Sequence, residues 1–295
     1  MRDGIPDGLL YARYAKVDGI ESFEYQGPAK HLARHAHAEY QLTLYQGTPH
    51  RFQVAGRDVA GSRHGAVILQ ADEPHSSQPA SEAPLVVRGL YIERRVMNEA
   101  AASIWRARTS VVFAQPLLED RALVTRLVRA HVALAGGEPD AEILFRAALV
   151  ELVRQCATPT GPERLLVSAV TKVERARELL LDRLAETVSL QELADAAGVS
   201  RYHLIRLFTA RYGFTPLAYQ RNERVRRARE VLAHGGAISA AVAAGGFADQ
   251  SHLGRAFVAV MGVTPGRYRI EDPAQRKQRS AGRRRALPAG CRSPC

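Results

Sequence analysis

Long apolar runs are missing from this 295-residue chain. No stretch approaches the roughly 20 consecutive apolar residues that a membrane-spanning helix needs, so no membrane partner is expected. The opening residues, "MRDGIPDGLLYARYAKVDG", carry acids early and lack an apolar core, which excludes a secretory signal from the expectation. Cysteine is scarce: Cys156, Cys291 and Cys295 are odd in number and show no framework spacing. A disulfide scaffold is thereby excluded, and a reducing, cytoplasmic setting is expected. Acid is absent from one region. Residues 273–295 hold seven Lys/Arg and no Asp/Glu.

What is present is uneven. Residues 1–164 hold 19 basic and 19 acidic side chains, whereas residues 165–272 hold 15 and 11. The net charge of +11 therefore belongs to the C-terminal half. Such an asymmetry fits a polyanionic partner, of which double-stranded DNA is the foremost.

Texture divides the chain as well. Residues 1–95 contain short runs bounded by turn residues: "EYQLTLYQG" (39–47), "HRFQVAG" (50–56), "GAVILQ" (65–70) and "LVVRGLYI" (85–92). They predict a small β-barrel or sandwich, with "AGRD" (55–58) as a hairpin turn. Residues 96–157 switch to helical apolar spacing, with Leu123, Leu127 and Leu134 near one stripe. "TPTGP" opens a linker over 158–164. Residues 165–272 are expected to be all helical. The basic tail 273–295 is expected to be disordered, adding at most non-specific phosphate attraction.

A short text is written twice. "RLFTARYGFTPLAYQR" (206–221) and "RAFVAVMGVTPGRYR" (255–269) share Arg, Phe, Gly, Thr-Pro and Tyr in one order. Ahead of the first copy, Ser189 and Glu192 form a capping box, Gly198 ends a helix, and Ser200 caps the next. Ahead of the second copy, Gly246 replaces Gly198, and Asp249 or Ser251 supplies the cap. Each copy is a helix-turn-helix. A capped helix from Thr215-Pro216 to Gly235-Gly236 joins them, long enough to hold two readers about one DNA turn, roughly 34 Å, apart.

"LADAAGVSRYHLIRLF", "GFTPLAYQRNERVRRAREVL" and "GGFADQSHLGRAFVAVMGVTPGRYR" resemble the DNA-binding domain of the AraC family of transcription regulators. The resemblance implies DNA contacts from Arg201, Tyr202 and Arg206 in the first unit and from Gln250, Ser251, His252 and Arg255 in the second. Ile205 departs from the family's usual polar residue and suits a thymine methyl. "ISAAVAAGG" is smaller than the usual pattern, which predicts a looser second unit.

On a strand, His35, His37, Glu39, Gln41 and Thr43 would share one face, while Tyr40, Leu42 and Leu44 share the other. "H-x-H-x-E-Y" and the later "P-H-S" at His75 resemble the cupin-type sensor barrel of the same family. The implied fold is α+β: a cupin-like barrel with following helices, then two helix-turn-helix units on a long helix. His35, His37, Glu39, Gln41 and His75 are the expected effector-binding residues. Three histidines suffice for Zn, Fe or Ni. Metal-binding cupins, however, place an acid where this chain has Gln41, so no metal ligand, cofactor or catalytic residue is assigned. The expectation is a cytoplasmic, non-enzymatic transcription regulator that answers a small-molecule effector as a homodimer, with the 118–135 stripe as the dimer helix. The alternatives are a metal-dependent cupin enzyme or metal sensor fused to a DNA-binding module, or a regulator whose barrel serves dimerisation alone.

Overall fold

The computed structural model describes residues 10–28, 30–47, 50–54, 56–62, 65–80, 83, 85–106, 110–160 and 167–269. The basic tail, Cys291, Cys295 and linker residues 161–164 lie outside the described residues.

Among the described residues, the N-terminal half has two main antiparallel sheets and a small third one. Six strands make the larger one: β1 (Leu10–Val17), β2 (Ile20–Gly27), β4 (Tyr40–Gly47), β7 (Ala66–Leu69), β9 (Leu85–Ile92) and β11 (Leu117–Leu118). Their order is β1-β2-β9-β4-β7-β11. The smaller sheet has the order β3-β8-β5-β6, from β3 (Leu32–His35), β5 (His50–Val54), β6 (Arg57–Ala60) and β8 (His75–Pro79). Of the barrel or sandwich expected, the two main sheets form the open, sandwich-like arrangement. β5 and β6 pair antiparallel up to Val54 and Arg57, as the "AGRD" hairpin predicted, with Ala55 outside the described residues.

The single strand predicted from His35 to Thr43 does not form. β3 stops at His35, the chain bends through residues 36–39, and β4 begins at Tyr40 in the other sheet. Alternation holds only within β4, where Leu42 and Leu44 are fully buried. A bend releases Glu39 from the common face expected for it.

Helices α1 (Arg94–Trp105), α2 (Arg121–Gly136) and α3 (Ala141–Cys156) pack beneath the larger sheet. Asp120 caps α2 by accepting from the backbone N–H groups of Ala122 and Leu123. Leu123, Leu127 and Leu134 all join this core with Leu42, Leu44 and Ile68. The stripe proposed for dimerisation is thus spent inside the chain. The exposed apolar residues of these helices are Val132, Ile143 and Leu144 instead. Ala157–Thr160, which overlaps the predicted linker, pairs as β12 with β10 (Ser110–Phe113).

The C-terminal half is helical: α4 (Val167–Asp182), α5 (Leu190–Ala197), α6 (Arg201–Tyr212), α7 (Pro216–Ala233), α8 (Ile238–Ala244), α9 (Gln250–Met261) and α10 (Pro265–Tyr268). The first helix-turn-helix is α5–α6, with the capping box of Ser189 and Glu192 formed in full. The second is α8–α9. Gly246 has φ +63°, and a Cβ there would stand 2.3 Å from the Cα of Ala185, so only glycine fits. Both units close on a Thr-Pro turn, Thr215 and Thr264 each accepting a backbone N–H three residues on.

Candidate functional site

Two candidate sites emerge, an exposed face on each helix-turn-helix unit and a cavity between the sheets.

The first part of α6 presents Arg201, Tyr202, His203 and Arg206 to solvent, while Leu204 and Phe208 are buried in the unit's own core. Tyr202 is 84% exposed, unusual for a large ring with no partner surface. α9 repeats the arrangement. Gln250, Ser251, His252 and Arg255 are exposed, and Leu253 and Phe257 are buried. Asp249 caps α9 by accepting from the backbone N–H of His252 at 2.7 Å. Ile205 is half-buried. The two exposed faces have the residue types that read base edges and phosphates in a major groove. The 18 residues of α7 give a connector of about 27 Å.

The cavity lies between the two sheets. It encloses about 100 Å³, several times the space one water requires. Phe23, Phe52, Leu85, Val87 and Tyr91 supply apolar wall; His35, Gln41, Thr43, His50 and His75 supply polar wall. Its last side comes from the C-terminal half: Val260, Met261 and Gly262 at the end of α9 line it too. Lys30 crosses this seam and donates to the Gly262 carbonyl at 3.0 Å.

Of the five predicted effector residues, the structure brings His35, Gln41 and His75 to the cavity wall. His37 is buried beside them, its Nε2 2.7 Å from Gln41 Oε1. Burial lowers the imidazole of His35 to about 3, with the neighbouring His37 adding to the effect. Burial likewise lowers His37 and His75, so all three rings are neutral at physiological pH.

Glu39 serves elsewhere. Its carboxylate accepts from Arg229 Nη1 of α7 at 3.0 Å. Arg229 is buried, donates to the Tyr268 hydroxyl at 2.8 Å, stands 3.6 Å from Glu21, and lies over the Tyr91 ring. Burial opposes the charged guanidinium, but Tyr268, Glu39, Glu21 and Tyr91 outweigh it and hold Arg229 firmly protonated. Burial also opposes the Glu39 carboxylate, and Arg229 outweighs that in turn, leaving Glu39 below the usual carboxylate range. Two turns earlier on α7, Asn222 pairs with Ala36: its Oδ1 accepts from the Ala36 N–H at 3.1 Å, and its Nδ2 donates to the Ala36 carbonyl at 3.0 Å. The bend at 36–39 is thus gripped at both ends by one helix of the C-terminal half. Nothing in local sequence pattern signalled Asn222 or Arg229, since a polar residue on a helix normally faces water. The one available hint was an arginine-rich connector carrying more polar residues than a solvent-facing stripe requires.

A ligand cavity walled partly by a double helix-turn-helix defines a class: DNA-binding regulators with a built-in sensor. Comparison with known proteins agrees. Residues 19–153 match the AraC-like ligand binding domain and residues 193–270 match a helix-turn-helix domain. The uncharacterised HTH-type transcriptional regulator YbfI of Bacillus subtilis is 27% identical over 241 residues, 79% of this chain and 86% of that protein. The bifunctional transcriptional activator/DNA repair enzyme Ada of Escherichia coli is 40% identical over 82 residues, covering 28% of this chain and 23% of Ada. Among solved structures, ToxT of Vibrio cholerae superposes with a TM-score of 0.55 at 12% identity, over 85% of this chain and 97% of ToxT. Another ToxT structure, with a bound unsaturated fatty acid, gives 0.54 at 12% identity over 88% of this chain and 99% of ToxT. The chain belongs to the AraC family of transcriptional regulators. It combines a ligand-binding domain with a helix-turn-helix DNA-binding domain. Among the described residues, no helix is long and apolar enough to cross a membrane.

Proposed function

We propose that the chain is a cytoplasmic regulator whose sensor cavity controls how its two helix-turn-helix units meet DNA. The observation that carries this reading is the shared wall: the helix that presents Gln250, Ser251, His252 and Arg255 at one end lines the cavity with Val260, Met261 and Gly262 at the other. A ligand that binds the docked and undocked states with different affinity shifts the population between them. Arg201, Tyr202 and Arg206 read one groove, and Gln250, Ser251, His252 and Arg255 the next.

The effector class follows from the lining. Apolar walls with Lys30 at the seam suit a small molecule with an apolar body and an acidic head. Such a head competes with the Gly262 carbonyl for the Lys30 ammonium and loosens α9. ToxT crystallised with an unsaturated fatty acid gives this class a precedent in the fold. A homodimer through the exposed Val132, Ile143 and Leu144 accounts for the apolar surface left on α2 and α3. No catalysed reaction is part of the reading.

The test is selection of bound duplexes from a random pool by the purified full-length protein at physiological salt. Paired motifs about one helical turn, roughly 34 Å, apart are expected. A single motif would limit base reading to one unit. Absence of any enriched motif, with and without candidate acids, would overturn the reading.

A further inference from the structure

The three buried histidines are more than polar wall. One ring nitrogen from each of His35, His37 and His75 lies within 4.8 Å of the other two. The other nitrogen is committed in the same way in all three. His35 Nδ1 meets the Ala33 carbonyl at 2.7 Å, His37 Nδ1 the Glu39 carbonyl at 2.9 Å, and His75 Nδ1 the Glu73 carbonyl at 2.8 Å. A carbonyl only accepts, so each Nδ1 carries the ring's proton and donates it. Each neutral ring then offers an unprotonated Nε2, and the three lone pairs share one small space. Converging lone pairs with no charge between them repel. Convergence of this kind is stabilised by a cation at the centre.

Gln41 reinforces the point. Its Oε1 stands 2.7 Å from His37 Nε2, and its Nε2 donates to Thr43 Oγ1 at 2.9 Å. In that orientation an amide oxygen faces an imidazole lone pair, acceptor against acceptor. Turning the amide over relieves the clash at His37 but leaves His35 and His75 facing each other, with ring centroids 4.3 Å apart. A cation relieves all of it and takes the amide oxygen as a further ligand.

We propose that His35, His37 and His75 bind a divalent first-row transition-metal ion through Nε2, with Gln41 Oε1 alongside and an open position toward the cavity. The donors are borderline-soft imidazoles, which select Zn, Fe, Co or Ni over Mg or Ca. The backbone carbonyls are the orienting partners that metal-bound histidines ordinarily have. Nitrogen ligands on a tetrahedral ion stand about 3.3 Å apart, given metal–nitrogen lengths of about 2.0–2.1 Å, so side-chain rotation must draw the set together. The neutral ligand set leaves the ion's charge available to an anion arriving from the cavity. Charges of both signs lie around the set: Lys30 lines the same cavity, Arg34 acts on His75, and Arg229 is offset by Glu21 and Glu39. The position of Gln41, read from sequence as counting against a metal, is met by three convergent nitrogens that no spacing rule could show.

The metal also has a route to the DNA. Two of its three ligands flank Ala36, which Asn222 grips, and precede Glu39, which Arg229 grips. Tightening the 35–39 bend therefore acts on α7, the rod between the two units. This consequence rests on the sensor reading above; the metal site itself does not.

The experiment uses full-length protein stripped with chelator and titrated with Co(II), followed by visible absorbance. One equivalent is expected to produce the intense d–d bands of a low-coordinate nitrogen site, displaced by one equivalent of Zn(II). His75→Gln should abolish the bands while circular dichroism and gel-filtration volume stay those of the parent. Gln41→Glu adds a charged ligand and should tighten Co(II) binding about tenfold or more, a gain that misfolding cannot mimic. No bands in the parent protein, or bands indifferent to both substitutions, would overturn the site. Either result leaves the DNA-selection outcome untouched, since no DNA enters this measurement.

Discussion

The two helix-turn-helix units share a plan and differ in what holds them. The first starts from a full capping box, and its core of Leu193, Leu204 and Phe208 is completed by α4. The second starts from Ala237, which offers no side-chain cap, and α8 is mostly alanine. Its core of Leu253, Phe257 and Tyr268 draws on α7 and on Tyr25 of the sensor, while Met261 packs into the cavity cluster. The first unit leans mainly on α4 and α7, with Arg34 of the sensor over Phe214, while the second takes apolar core from the sensor itself. That asymmetry suits regulation, because a weak unit docked on a sensor responds when the docking changes.

The largest expected effect tests that docking. Arg229→Met removes the guanidinium that pairs with the buried Glu21 and the half-buried Glu39. A loss of about 3–5 kcal/mol is expected in urea unfolding. Amide exchange should then show α8 and α9 losing protection far more than α5 and α6. Equal losses in both units would break the comparison.

DNA affinity comes next. Arg206→Ala and Arg255→Ala should each cost about 1–3 kcal/mol if they read bases, and each should relax preference in its own half of the site. Binding isotherms on matched and scrambled duplexes distinguish this from phosphate contact, which weakens every sequence alike.

Caps give a smaller, symmetrical test. Ser189→Ala should cost about 1 kcal/mol of stability in the first unit, and Ala237→Ser should return about 0.5–1 kcal/mol to the second. Thermal unfolding of both variants measures it. A neutral Ala237→Ser would mean that tertiary contacts, and no missing cap, limit α8.

The smallest effect is one of pH. Hydrogen bonds to the Ser189 backbone and side chain, then Arg183, lower Glu192 to about 2 from an ordinary value of 4.5. A depressed folded value stabilises the folded state above about 4.5 and loses that contribution as pH falls through about 2. Amide shifts at Ser189 should move in that window while those at Ala237 stay flat, because the second unit has no such box. Exposure of Glu192 to solvent makes this contribution small and sensitive to salt.

Much of this was legible before any coordinates. Caps, glycines and the Thr-Pro turns are local, acting within three or four residues, so the boundaries of α5, α6 and α9 lay close to their sequence signals. Strand β9 was read at its observed bounds for the same reason, a mostly apolar run broken only by Arg88 and Gly89. β1 and β2 passed unnoticed, since "LYARYAKV" and "IESFEYQG" mix charges with aromatics and alternate poorly. The leucines of α2 showed that a face was buried but not what covered it.

The amino-acid sequence by itself determined the kind of protein: two helix-turn-helix units, the rod between them, and a β-rich domain ahead carrying His35, His37 and His75. These depend on short-range periodicity and capping, which a linear text records. Only the tertiary structure decided that Asn222 and Arg229 grip the sensor, that α9 walls its cavity, and that three imidazoles converge. Those contacts join residues as far as 232 positions apart, as Lys30 and Gly262 are. Their strength comes from burial of charge and from directed lone pairs, quantities that exist only once the chain has closed on itself.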